Sequence, residues 1–175
     1  MKFTIPLLFV VLALGGCNAK DRNHALSEGS GLAKSLWIRA SQQAESISAD
    51  ASERTIAAAN TQMQKLQEQL SNIKMPTEVD KLRLASVEEQ IERLSYALDM
   101  KDVQAKVKAK IEDAKGLMSN AGKTEAQVKA YLGKADAEYK QLLSDYNEAK
   151  GNFDAAQTRI EDVKKRIKDA GGIVP

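Results

Sequence analysis

The side chains able to do chemistry in this chain are few and scattered. Cys17 is the only cysteine, so the chain has no partner for an internal disulfide and no cysteine-built metal site. His24 is the only histidine. An imidazole can bind a metal or shuttle protons, but no ligand set surrounds this one in sequence, and it is expected to be plain linker. Trp37, the only tryptophan, sits between Leu36 and Ile38. It suits either the lipid headgroup layer or the covered end of a helical bundle, and the bundle is expected. Tyr139, Tyr146 and Phe153 fall seven apart. They could stack a ligand or a sugar, but their shared heptad position predicts core packing. Lys106, Lys108, Lys110 and Lys115 form one basic run, and Arg159, Lys164, Lys165, Arg166 and Lys168 another. Either could meet anionic lipid or a peptidoglycan carboxylate, yet acids interrupt both, which predicts a solvated face. There is no phosphate-cradling glycine loop, no His-Glu metal motif and no nucleophile beside a base. No catalytic residue, metal site or cofactor is expected, and the chain is read as non-enzymatic.

Cys17 gains its meaning from what precedes it. Lys2 leads into an apolar run, Phe3–Leu14, followed by Gly15 and Gly16. A charge, a short apolar core and small residues before a cut are the layout of a secretory signal. The run is about a dozen residues and contains Pro6, short of the roughly 20 needed for a spanning helix. Leu14-Gly15-Gly16-Cys17 resembles the lipobox of bacterial prolipoproteins. The resemblance covers residues 1–17 and implies lipid attachment at Cys17, removal of residues 1–16, and acyl chains such as palmitate holding the mature N-terminus to a membrane. One chain binds marginally, whereas several hold firmly, at about 0.8 kcal/mol per buried methylene. Asn18 rather than aspartate after the cysteine implies outer-membrane sorting, on the periplasmic side.

Removing the leader takes Lys2 and no acid, so 26 basic residues become 25 against 24 acidic ones. A nearly neutral chain gives no reason to expect nucleic acid. Charged residues make up 29% and aromatics 5%, a balance that favours long helices with narrow apolar seams. After the leader, proline occurs only at Pro76 and Pro175, so two long stretches lack the strongest helix breaker.

The elements that must carry these residues follow from periodicity. Residues 17–31 then comprise the lipidated N-terminus that the resemblance implies and, over 18–31, a polar stretch with two glycines that predicts a flexible tether. Leu32, Leu36, Ala40, Ala44 and Ile47, then Ile56, Ala59, Met63, Leu66, Leu70 and Ile73, predict a helix over about 32–74, with a phase slip near 51–56. Pro76 ends it and Thr77 caps a second helix over about 77–118. Thr124 and Gln127 have capping-box spacing and open a third over about 124–170. That helix carries the most regular seam. Leu132, Tyr139, Tyr146, Phe153, Ile160 and Ile167 form its large rank, and Val128, Ala135, Leu142, Ala149, Ala156 and Val163 its smaller one. Gly171-Gly172 end it. Pairs such as Asp50/Arg54, Glu89/Arg93, Asp102/Lys106, Asp136/Lys140, Glu161/Lys165 and Asp162/Arg166 mark solvated faces.

Short connections predict antiparallel neighbours. The expectation is therefore an all-α, elongated antiparallel three-helix bundle or coiled coil over 32–175, with helices of about 60–68 Å. The first helix is its weak partner. Its alanine-rich stripe predicts tight packing of small residues, with a surface completed by another chain as the alternative. Self-association through heptad seams is also open. The expected function is a cell-envelope lipoprotein acting as a helical binding or spacer module, with an envelope protein as partner. The rival reading is an immunity or exclusion lipoprotein that neutralises an incoming toxin, lytic enzyme or phage component.

Overall fold

A computed structural model describes residues 29–118 and 122–175; Cys17, His24 and the leader lie outside them. The described residues form four helices and no strand: α1 Gly31–Glu45, α2 Glu53–Ser71, α3 Glu78–Met118 and α4 Glu125–Asp169. The all-α helical bundle matches the expectation. The helix count does not, because the first expected helix is two.

The reason lies in residues 46–52. Ser46, Ser48, Asp50 and Ser52 offer side-chain oxygens that compete with the helical backbone. The Ser46 hydroxyl turns back to Gln43 O at 2.7 Å. Ser52 adopts an extended backbone and accepts from Thr55 N at 3.2 Å, which starts α2 afresh. Ile47 and Ala51 then tuck against the core on either side of the turn. Asp50 lies in this connection, so it does not share a helix with Arg54. α1 and α2 become an antiparallel hairpin, and the side-chain amides of Gln43 and Gln62 bond across it.

The remaining boundaries follow their capping chemistry. Thr77 Oγ1 accepts from Asp80 N at 3.2 Å while Asp80 reaches back to Thr77 N at 3.1 Å. This reciprocal arrangement starts α3. Thr124 and Gln127 form the expected capping box at α4. α4 ends as glycine chemistry predicts: Gly171 takes a φ of 86°, and Gly172 N donates to Ile167 O at 2.8 Å.

α3 is the spine. α2 runs antiparallel to it, with Asn60 Nδ2 donating to Ser95 Oγ at 3.4 Å and Gln67 Nε2 to Glu88 Oε1 at 3.3 Å. α4 is antiparallel too, with Arg159 bridging to Glu89 at 2.6 Å and Lys110 to Glu138 at 2.7 Å. α1 runs parallel to α3: Ser30, Ser41 and Ala44 meet Asp80, Gln90 and Arg93 in turn. The core of this four-helix part holds Trp37, Ile56, Met63, Val87, Leu94 and Ile167, all essentially inaccessible to water.

Helix lengths set the shape. At 1.5 Å per residue, α3 and α4 are about 62 and 68 Å long, but α1 and α2 only about 22 and 28 Å. The short hairpin therefore clothes less than half of the long one. Among the described side chains, Met100 and Val103 are the last buried along α3, and Ala149 is the first along α4. Beyond them α3 and α4 continue together as a two-helix stalk.

Candidate functional site

Two regions compete as functional sites: the α1–α3 contact of the bundle and the open seam of the stalk. In the first, α3 presents buried Asp80, Arg83, Ser86, Gln90 and Arg93 in steps of three and four. Asp80 receives Ser30 N with both oxygens at 3.0 Å and pairs with Arg83 at 3.3 Å. The Arg83 guanidinium lies 5.7 Å from the Trp37 ring centroid, within cation–π range. Gln90 Nε2 donates to Ser41 Oγ at 3.2 Å. Arg93 donates to Gln157 at 2.6 Å and to the Ala44 carbonyl, and it stacks 5.5 Å from the Phe153 centroid. Burial lowers the Arg93 pKa, and Glu45 partly opposes that. A buried ion pair is weak evidence for stability. What this row fixes is the register of α1, because Asp80, Arg83, Gln90 and Arg93 in turn meet Ser30, Trp37, Ser41 and Ala44.

Trp37 is thus buried in the bundle, as expected. The alanine stripe is also internal: Ala33, Ala40, Ala44 and Ala59 are buried. The weak first helix is not the open surface.

The open surface lies where the sequence has its most regular heptads. In the stalk, Leu132 is 52% exposed and Tyr139 54%, with Val128, Leu143 and Ile111 comparably bare. Between α3 and α4 run two adjoining grooves of about 170 Å³ each, sharing Val107, Tyr139 and Leu142. Val103 and Tyr146 close the end nearer the bundle, and Ile111, Ala114 and Ala135 line the end nearer the tip. The core packing expected for the aromatic rank therefore holds in a gradient. Phe153 packs against the core, Tyr146 is half-buried, and Tyr139 lies open. Periodicity marked all of these positions except Leu143 as a seam. What it missed is that α1 and α2 stop short, and the signal for that was the serine-rich stretch beside the phase slip.

Five members of the basic runs are paired with acids. Lys106 pairs with Asp102 at 2.5 Å, Lys110 with Glu138 at 2.7 Å and Lys115 with Glu112 at 2.9 Å. The bond from Glu138 raises the Lys110 pKa, and the same bond lowers that of Glu138. Arg159 joins Glu89 and Glu92 at 2.6 and 2.8 Å. Lys164 joins Glu45 at 2.7 Å and Glu161 at 3.3 Å. Burial would lower the Lys164 pKa, but these two acids together outweigh it and raise it. Asp136 pairs with Lys140 as expected, whereas Glu89 turns across to α4 instead of along its own helix to Arg93.

Among the described residues no group of three or more His, Cys, Asp or Glu is placed to hold a metal, and no helix is long and apolar enough to cross a membrane. The stalk groove offers apolar hollows at heptad spacing, edged by charges. Its chemistry is that of receiving side chains from another helix, knobs into holes. No protein-family description, curated protein or solved structure matches this chain.

Proposed function

We propose that this chain is a non-enzymatic cell-envelope lipoprotein, held by acyl chains on Cys17 at the periplasmic face of the outer membrane. It works by helix-mediated binding, and the stalk groove takes an amphipathic helix of an envelope protein. The observation that carries the reading is the bare α4 rank at Leu132 and Tyr139, with Ile111 of α3 also bare. The same heptad rank is covered by the chain's own helices from Phe153 onward. Soluble chains seldom leave a contiguous apolar strip of this kind uncovered unless something binds there. The flanking charges pair among themselves, so specificity comes from the shape and spacing of the seam.

A photoreactive side chain at Tyr139, in the native envelope, tests this. The expected product is a protein adduct whose attached peptide maps to a heptad-patterned helix. The same probe at Glu148, which is exposed on α4, is expected to give none. Equal yields at both positions, or no adduct at Tyr139, would overturn the reading. An adduct to another copy of the chain would replace the envelope partner with self-association.

A further inference from the structure

The end of the molecule opposite the stalk tip gathers apolar side chains from three separate segments. Leu32, in the first turn of α1, is 60% exposed; Met75, in the α2–α3 connection, 94%; and Ile173, in the C-terminal tail, 52%. All three lie at the base, where α1 and α3 begin and α2 and α4 end. Ser30 N binds Asp80, and a side chain added at Gly172 would meet Val79 and Ile167, each at 2.8 Å. The base also holds an open groove of about 540 Å³ between Leu32 and Leu36 on one side and Ile73 and Lys74 on the other.

Met75 is held out against its own preferences. Its φ of 56° places a non-glycine residue in the left-handed region, which costs free energy, and Pro76 follows it. Water gains nothing from an almost fully bare methionine.

The chain itself indicates what meets this face. Residue 29 sits at the base beside Asp80 and Arg83, so the segment leading to Cys17 leaves from here. Eleven residues separate Cys17 from Gly29. That length of chain reaches at most about 40 Å, whereas α3 alone is about 62 Å long. A chain anchored at Cys17 keeps its base close to the lipid and cannot bring its tip as near without lying down.

We propose that the base is a bilayer-docking surface: Leu32, Met75 and Ile173 enter the interfacial layer, and the stalk stands away from it with its groove exposed. Lys74 and Lys168 are exposed near the same end and suit the headgroup level, where long cationic side chains reach toward phosphate; Lys81 there is paired with Glu78 at 3.3 Å. The proposal rests on the membrane-anchored reading above and adds an orientation to it.

The test replaces Leu32, Met75, Ile173 or, as control, Leu132 with p-benzoylphenylalanine in the full chain, in the native host. Irradiated protein is then weighed intact. The expected result is phospholipid adducts at 32, 75 and 173, at least tenfold above the yield at 132. Adducts absent from the base positions, or equally strong at 132, would overturn the proposal. The same spectra show whether Cys17 is acylated. An unacylated chain with lipid adducts at the base would keep the docking face and remove the anchor; an acylated chain without them would do the reverse.

Discussion

The basal bundle and the stalk are built from the same two long helices, yet they obey different rules. Near the base, the rank that includes Ile160 and Ile167 is buried under a second hairpin. In the stalk the same rank, at Leu132 and Tyr139, lies half bare. The repeat does not change between them; only the covering helices do. A heptad seam is thus an offer of contact, and whether the offer is taken up depends on what else the chain supplies nearby.

The comparison breaks most visibly at Trp37. Trp37→Ala empties the centre of the base and is expected to cost about 3–5 kcal/mol, read as a large fall in the denaturant midpoint. A midpoint unchanged within error would mean that the base is not where stability resides. Ile167→Ala and Leu132→Ala then sharpen the contrast within one rank of one helix. The first is expected to cost about 2–5 kcal/mol, the second at most about 0.5 kcal/mol. Similar costs would show that the stalk seam is covered in the isolated protein.

Gly29→Ala probes how α1 is tied to α3. Gly29 has a φ of 78°, and an added Cβ would collide with the Asp80 carboxylate. We expect a loss of about 1–3 kcal/mol, with faster amide exchange in α1 than in α2. Equal exchange in both would contradict a separate tie for α1.

The smallest effect is electrostatic. Glu138 has its pKa lowered by Lys110, so its contribution is full above the ordinary carboxylate value, roughly pH 4.3, and fades as pH falls through the lower folded value. Lys110 is raised by Glu138, so its share is full below the ordinary lysine value, roughly pH 10.4, and is lost as pH rises through the higher folded one. Lys110 is exposed and Glu138 half-buried at the surface, and screening keeps the effect small. Amide exchange in residues 128–146 is expected to quicken slightly in acid for the native chain but not for Glu138→Gln. An equal response in both would remove the bridge from the account.

Much of this was legible in sequence, and the exceptions share a cause. The α4 seam, the Thr124 box, the Thr77 start and the Gly171 ending are local, set by residues within a few positions of each other. The break at 46–52 was only half legible. Serine and aspartate are tolerated in helices, and the reversal is fixed by Ile47 and Ala51 packing on a core assembled from distant segments. The alanine stripe of α1 looked weak because an isolated helix gives no sign that a neighbour approaches closely enough to use small residues. The stalk groove was hidden for the converse reason: Leu132 and Tyr139 carry the pattern of a core, and nothing local reveals that the covering helices end early. The base face, with Leu32, Met75 and Ile173, is assembled from segments up to 141 positions apart and has no local signature.

Hydrogen exchange along α4, in dilute protein and again in the native envelope, tests the central claim most directly. The account predicts that amides of 149–167 are protected at least tenfold more than those of 128–146 in the isolated chain, and that the gap narrows when the envelope is present. Uniform protection along α4 in isolation, or a gap that the envelope leaves untouched, would contradict it.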